Sequence, residues 1–122
     1  MNAEREQVLC RVDDIVDGGA RGLIRVAGED RVFVIRRAGE VLAYLNSCPH
    51  DWQPLEYRRD RFLAADGKSI VCHAHGAHFD IGSGRCTRGP CLGSYLSGIP
   101  VRVEDGIVLA ASALLDAARG VR

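Results

Sequence analysis

Short apolar runs alternate with turn residues along most of this chain, a pattern of short strands rather than helices. Residues 7–12 (QVLCRV), 22–27 (GLIRVA), 31–37 (RVFVIRR) and 41–45 (VLAYL) predict successive strands. Between the first two, 13–20 (DDIVDGGA) reads as a turn into which the apolar pair Ile15 and Val16 docks. Gly28-Glu29-Asp30 and Ala38-Gly39-Glu40 are short enough to join the next strands as a meander. Residues 61–65 (RFLAA) and 69–72 (SIVC) predict a hairpin across Asp66-Gly67, and 99–104 with 107–111 a second across Asp105-Gly106. The last segment, 112–119 (SALLDAAR), predicts one or two helical turns with Ser112 as N-cap. The expectation is an all-β fold carrying a loop-rich insert.

Length keeps this picture to one domain: 122 residues, read as a single unit over 1–122. Apolar residues at 47% and charged residues at 26% are ordinary for a packed chain. Sixteen basic side chains balance sixteen acidic ones, which gives no electrostatic reason to expect a nucleic-acid or membrane partner. No run reaches the length of a membrane span, and MNAEREQVL lacks a signal-peptide apolar stretch, so the expected location is cytoplasmic. Five cysteines, an odd count, argue in a reducing compartment for metal binding over a disulfide scaffold.

Four of those cysteines and all four histidines fall in residues 46–91. Two compact motifs stand out: Cys48-Pro49-His50 and Cys72-His73-Ala74-His75. Each is short enough for its cysteine and histidine to serve one centre from one loop, and the hairpin at 61–72 would set the loops side by side. Two thiolates and two imidazoles suit tetrahedral zinc, or a [2Fe–2S] cluster with two histidines replacing two cysteines at one iron. Spacing does not choose between them. Zinc would make the chain a metal-stabilised interaction module.

CPH at 48–50, CHAHG at 72–76, FD at 79–80 and GP at 89–90 resemble the Rieske-type [2Fe–2S] domain, and the likeness extends over nearly the whole chain. The resemblance implies an antiparallel β-sandwich with a loop-rich cluster-binding subdomain, here 46–91. It implies that Cys48 and Cys72 hold a buried iron, and that His50 and His75 hold an outer iron near the surface where partners dock. It also gives Gly76 and Pro90 supporting places, Gly76 letting backbone amides approach the cluster and Pro90 capping it.

High-potential respiratory members carry an extra cysteine in each loop and Ser and Tyr hydroxyls beside the cluster. The matching positions here are Gln53, Ala74, Ala77 and Phe79. Donors to cluster sulfur stabilise the more negative reduced state, so their absence places this chain among low-potential forms. The implied function is one-electron transfer from a reductase to a terminal oxygenase or reductase. An electron-entry subunit of a nitrite-reductase-like complex is the alternative within the family. With every metal position filled by protein, the chain reads as an electron-transfer component rather than a catalyst alone.

Other residues stay open at this level. Cys86 and Cys91 read as free thiols, a local disulfide, or ligands of a second metal with His78 nearby. Arg58, Arg59 and Arg61 lie in apparent extra material, EYRRDRF at 56–62, and read as a solvated turn with an acidic-partner patch as the rival. Cys10, Leu55, Phe79, Tyr95 and Leu96 read as packing residues. Trp52 reads as packing, with partner contact as its rival. Asp80 reads as an acceptor of backbone amides, and His73 as an exposed non-ligand.

Overall fold

The structure is a computed structural model that describes residues 5–120. Among the described residues, nine strands and one helix run in the order β1 (Glu6–Arg11), a 3-10 turn (Val12–Asp14), β2 (Ala20–Val26), β3 (Glu29–Arg37), β4 (Glu40–Leu45), β5 (Ser69–Cys72), β6 (Ala77–Asp80), β7 (Cys86–Arg88), β8 (Val101–Glu104), β9 (Ile107–Ala111) and α1 (Ser112–Gly120). They form three antiparallel three-stranded sheets, ordered β1-β9-β8, β2-β3-β4 and β5-β6-β7.

The middle sheet has protein on both faces. Along β3, Phe33 and Ile35 point with Tyr44 into one core, shared with Cys48, Leu55, Phe62, Cys72 and Phe79. Val32 and Val34 point with Ala43 into the other, shared with Val108, Leu115 and Ala118. A strand covered on both sides reads as a continuous apolar run, which is how RVFVIRR reads. Successive side chains alternate between faces, so this one strand divides the two cores.

Three connections are two-residue turns with left-handed residues at both central positions: Ala27-Gly28, Ala38-Gly39 and Asp105-Gly106. Such turns match the twist of antiparallel strands and fix their register. The first lies one residue earlier than the sequence suggests, so Glu29 pairs with Val26 and β3 starts there. Of the apolar pair in 13–20, only Ile15 docks; Val16 is 79% exposed. At the C-terminus, Ser112 opens α1 and its backbone N–H donates to the Arg5 carbonyl at 2.8 Å.

Between residues 56 and 72 the expected hairpin is reduced. Leu63 meets Ile70 in an isolated bridge, and only 69–72 forms a full strand. The segment before it is nevertheless anchored. Phe62 stacks on Phe33 with ring centroids 4.3 Å apart, Gly22 donates its N–H to Asp60 at 2.8 Å, and Arg59 lies 3.6 Å from Asp30. Asp30 is buried without a hydrogen bond to either carboxylate oxygen, so Arg59 and Arg25, at 3.4 Å, provide its compensating charge. Residues 73–91, expected as loops, contain two further strands, β6 and β7.

Candidate metal centre

The first cysteine loop leaves β4 at Asn46, a fully buried side chain with three hydrogen bonds. Its amide donates to the Asp30 carbonyl at 2.8 Å and to Glu56 Oε1 at 2.9 Å, while its oxygen accepts from Leu55 N–H at 2.9 Å. Both ends of the loop are thereby fixed to β3. Within it, the Cys48 carbonyl accepts from Trp52 N–H at 2.6 Å and Asp51 N–H at 3.3 Å, and Cys48 N–H donates to the Gln53 carbonyl at 2.8 Å. These bonds curl Cys-Pro-His-Asp-Trp into a turn with Cys48 inward and His50 outward. Leu55 is buried beneath the loop.

Asn46 carries no metal-ligand chemistry, and sequence reading passed over it; the available signal was a polar residue directly after an apolar strand and ahead of a cysteine motif. Replacing it by Ala strands the buried Leu55 N–H. Asn46→Ala should lower stability by about 2–3 kcal/mol, measured by urea denaturation followed by circular dichroism, with metal retention falling in parallel.

The second loop is the β5–β6 turn. Cys72 pairs with Ala77, leaving His73 to Gly76 as the connection, and Gly76 N–H returns to the Cys72 carbonyl at 2.8 Å. Gly76 closes this turn at φ +71°, a left-handed conformation that suits glycine. His73 N–H donates to the Leu55 carbonyl at 2.9 Å, which ties the two loops together. The His73 ring lies outward against Tyr57, and burial is the main cause of its lowered pKa. His78, in the middle of β6, is engaged at 2.9 Å with Ser69 Oγ.

A third loop supports the second from behind. Gly89 has φ +103°, and a Cβ there would lie 2.8 Å from Ala77 Cα, so only glycine permits this approach. Pro90 follows on the surface. Asp80 behaves as an acceptor: Ser83 N–H and Oγ each donate to it at 2.8 Å and hold its carboxyl below the usual range.

The four donors sort by element. Cys48 and Cys72 are fully buried and share one core. Burial pushes the Cys48 thiol up to about 11, so taking a metal requires release of its proton. His50 and His75 stand outside, rings 4.6 Å apart at 81°, with the His75 side chain 41% exposed. His75 Nδ1 is 3.4 Å from Asp51 Oδ2. Ligand atoms of His50, Asp51 and His75 lie within 4.8 Å of one another, and neither cysteine sulfur belongs to that group. One tetrahedral zinc would bring all four donor atoms to about 3.5 Å of one another, given its bond lengths. A sulfur end and a separate nitrogen end instead fit two irons bridged by sulfide.

The sequence profile of the Rieske [2Fe-2S] domain matches residues 5–109. The chain belongs to the Rieske [2Fe-2S] family. Family membership carries a [2Fe–2S] cluster as cofactor, and the donor arrangement fits it. Among solved Rieske-type structures, the Sphingomonas yanoikuyae B1 ferredoxin is similar at 29% identity and TM-score 0.68, with 88% of this chain and 99% of that one covered. The ferredoxin of carbazole 1,9a-dioxygenase from Nocardioides aromaticivorans IC177 is similar at 25% identity and TM-score 0.67, with 87% and 96% covered. A chain from a complex of reduced oxygenase and oxidized ferredoxin in carbazole 1,9a-dioxygenase is similar at 26% identity and TM-score 0.68, with 89% and 94% covered. No curated protein matches the chain.

Two packing expectations for this Rieske domain require correction. Trp52, held at φ +63° at the tip of the first loop, is 66% exposed, and Tyr95 is also exposed. Cys10, Phe79 and Leu96 are buried as expected. Cys86 and Cys91 are free and buried, with sulfurs 3.0 Å apart. No helix among the described residues is long and apolar enough to cross a membrane.

Proposed function

We propose that this chain is a one-electron carrier that receives electrons from a reductase and passes them to a terminal oxygenase. Cys48 and Cys72 hold the inner iron, His50 and His75 the outer one, and residues 46–91 are the cluster-binding subdomain of a single domain. The observation that carries this reading is the exposed His50–His75 ring pair above two buried thiols. When bound, the cluster supplies a one-electron redox couple. The protein's part is to bury the sulfur end, fix the loops through Asn46 and His73, and leave imidazole edges at the surface. Edges so placed shorten the path to a docked partner. The similar structures support an oxygenase as acceptor, since one comes from an oxygenase–ferredoxin complex and another is the ferredoxin of a dioxygenase. The cytoplasm is the proposed location.

The test is reconstitution of the electron chain. Purified protein should contain two irons and two acid-labile sulfides per chain, and should carry electrons from a ferredoxin reductase to a Rieske-type oxygenase. Colourless zinc protein, or oxygenase turnover independent of the chain, would refute the proposal.

The potential is a separate expectation. Ala77 and Phe79 bring no hydroxyl to the site and both are buried. Protein-film voltammetry should therefore find a midpoint below zero on the hydrogen scale; a strongly positive value would contradict the argument from these residues.

A further inference from the structure

The electron-carrier reading leaves two buried thiols unused. Cys86 opens β7, where its N–H donates to the Ser94 carbonyl at 2.7 Å and its carbonyl accepts from Gly93 N–H at 3.0 Å. These bonds close the chain over 86–94 into a small loop, and Cys91 lies inside it. The Cys91 thiol donates to Cys86 Sγ at 3.0 Å, and the Cys86 thiol donates onward to the Arg88 carbonyl at 3.3 Å. A disulfide needs sulfurs at about 2.05 Å, so closure asks for roughly 1 Å of movement. Left-handed glycines stand on both sides of Cys91, Gly89 at φ +103° and Gly93 at +87°, and the adjacent Leu92 is 68% exposed. The outer edge of the loop is thus exposed, although both sulfurs are buried. Both cysteines share a core with Cys48.

We propose that Cys86 and Cys91 form a reversible disulfide in the core that also holds Cys48, made by exchange with a low-molecular-weight disulfide such as oxidised glutathione. Both protein S–H bonds break and one Cys86–Cys91 S–S bond forms. The glutathione disulfide is cleaved, takes up the two electrons and two protons, and leaves as two glutathione thiols. The protein pair is oxidised by two electrons without change to the iron.

Arg88 lies between the two cysteines, which makes the bond directly readable. Cluster-loaded protein is equilibrated with excess oxidised glutathione, alkylated while being unfolded, and digested with trypsin. Peptides 86–88 and 89–102 should be recovered joined, and separate and alkylated after prior treatment with dithiothreitol, with the native visible spectrum retained in both samples. Peptides that remain separate under oxidising conditions, or 89–102 joined to the peptide carrying Cys48, would overturn the pairing. Cys86→Ser should keep the visible spectrum and abolish the joined product; a bleached Cys86→Ser would instead mark this sulfur as an iron ligand and end the proposal. The peptide readout involves no iron, so failure of the pairing is told apart from failure of the ligand assignment.

Discussion

His75→Ala, and separately His50→Ala, is expected to give a folded chain without the native cluster spectrum. Both rings lie at the surface, and the polar contact to Asp51 at 3.4 Å is made by His75 alone. Removing an exposed side chain of this kind usually changes stability by no more than about 0.5 kcal/mol. The sheets should therefore survive, with far-ultraviolet circular dichroism unchanged apart from what cluster loading contributes. On the proposed assignment each imidazole supplies one of two protein bonds to the outer iron, so iron binding should not survive. The neighbouring histidines are the controls. His73 faces Tyr57 and His78 faces Ser69, so His73→Ala and His78→Ala should retain the spectrum. A native spectrum in His75→Ala, or its loss in His73→Ala, would remove the ligand assignment.

Phe62→Ala is expected to destabilise the protein by about 3–5 kcal/mol. The ring is fully buried, is stacked on Phe33 at 7° between planes, and shares its core with Cys48 and Cys72. Truncation leaves a cavity at the junction between the middle sheet and the two cysteine loops, in a segment that the sequence suggested to be extra material. Denaturation in urea should show the loss, and iron should dissociate at lower denaturant than from the unaltered protein. A midpoint within experimental error of the parent would mean that the 56–62 segment does not anchor the site.

Strands β2 to β4 were legible because each half of the pattern agreed: β-rich runs, then a short turn with glycine. The two Cys–His loops were legible as loops because cysteine and histidine are uncommon and their spacing is short. Strands β6 and β7 were missed for a related reason. Ala77–Asp80 alternates inward and outward residues, but it follows a metal motif directly, and that motif drew the whole stretch into a loop reading. Val16 and Tyr95 were placed inside because they are apolar or aromatic, yet hydrophobicity does not forbid exposure. Asn46 was overlooked because its role depends on Asp30, Leu55 and Glu56 meeting in space. The closeness of Cys86 and Cys91 depended on the backbone bonds of the 86–94 loop, which the sequence interval alone does not disclose.

β3 forms a wall common to both cores, Phe33 and Ile35 on one side and Val32 and Val34 on the other. Neither half can melt without stripping cover from this strand, so the domain has no natural line along which to come apart in stages. Heating should therefore produce one cooperative transition, with loss of sheet signal and bleaching of the iron chromophore falling at the same temperature.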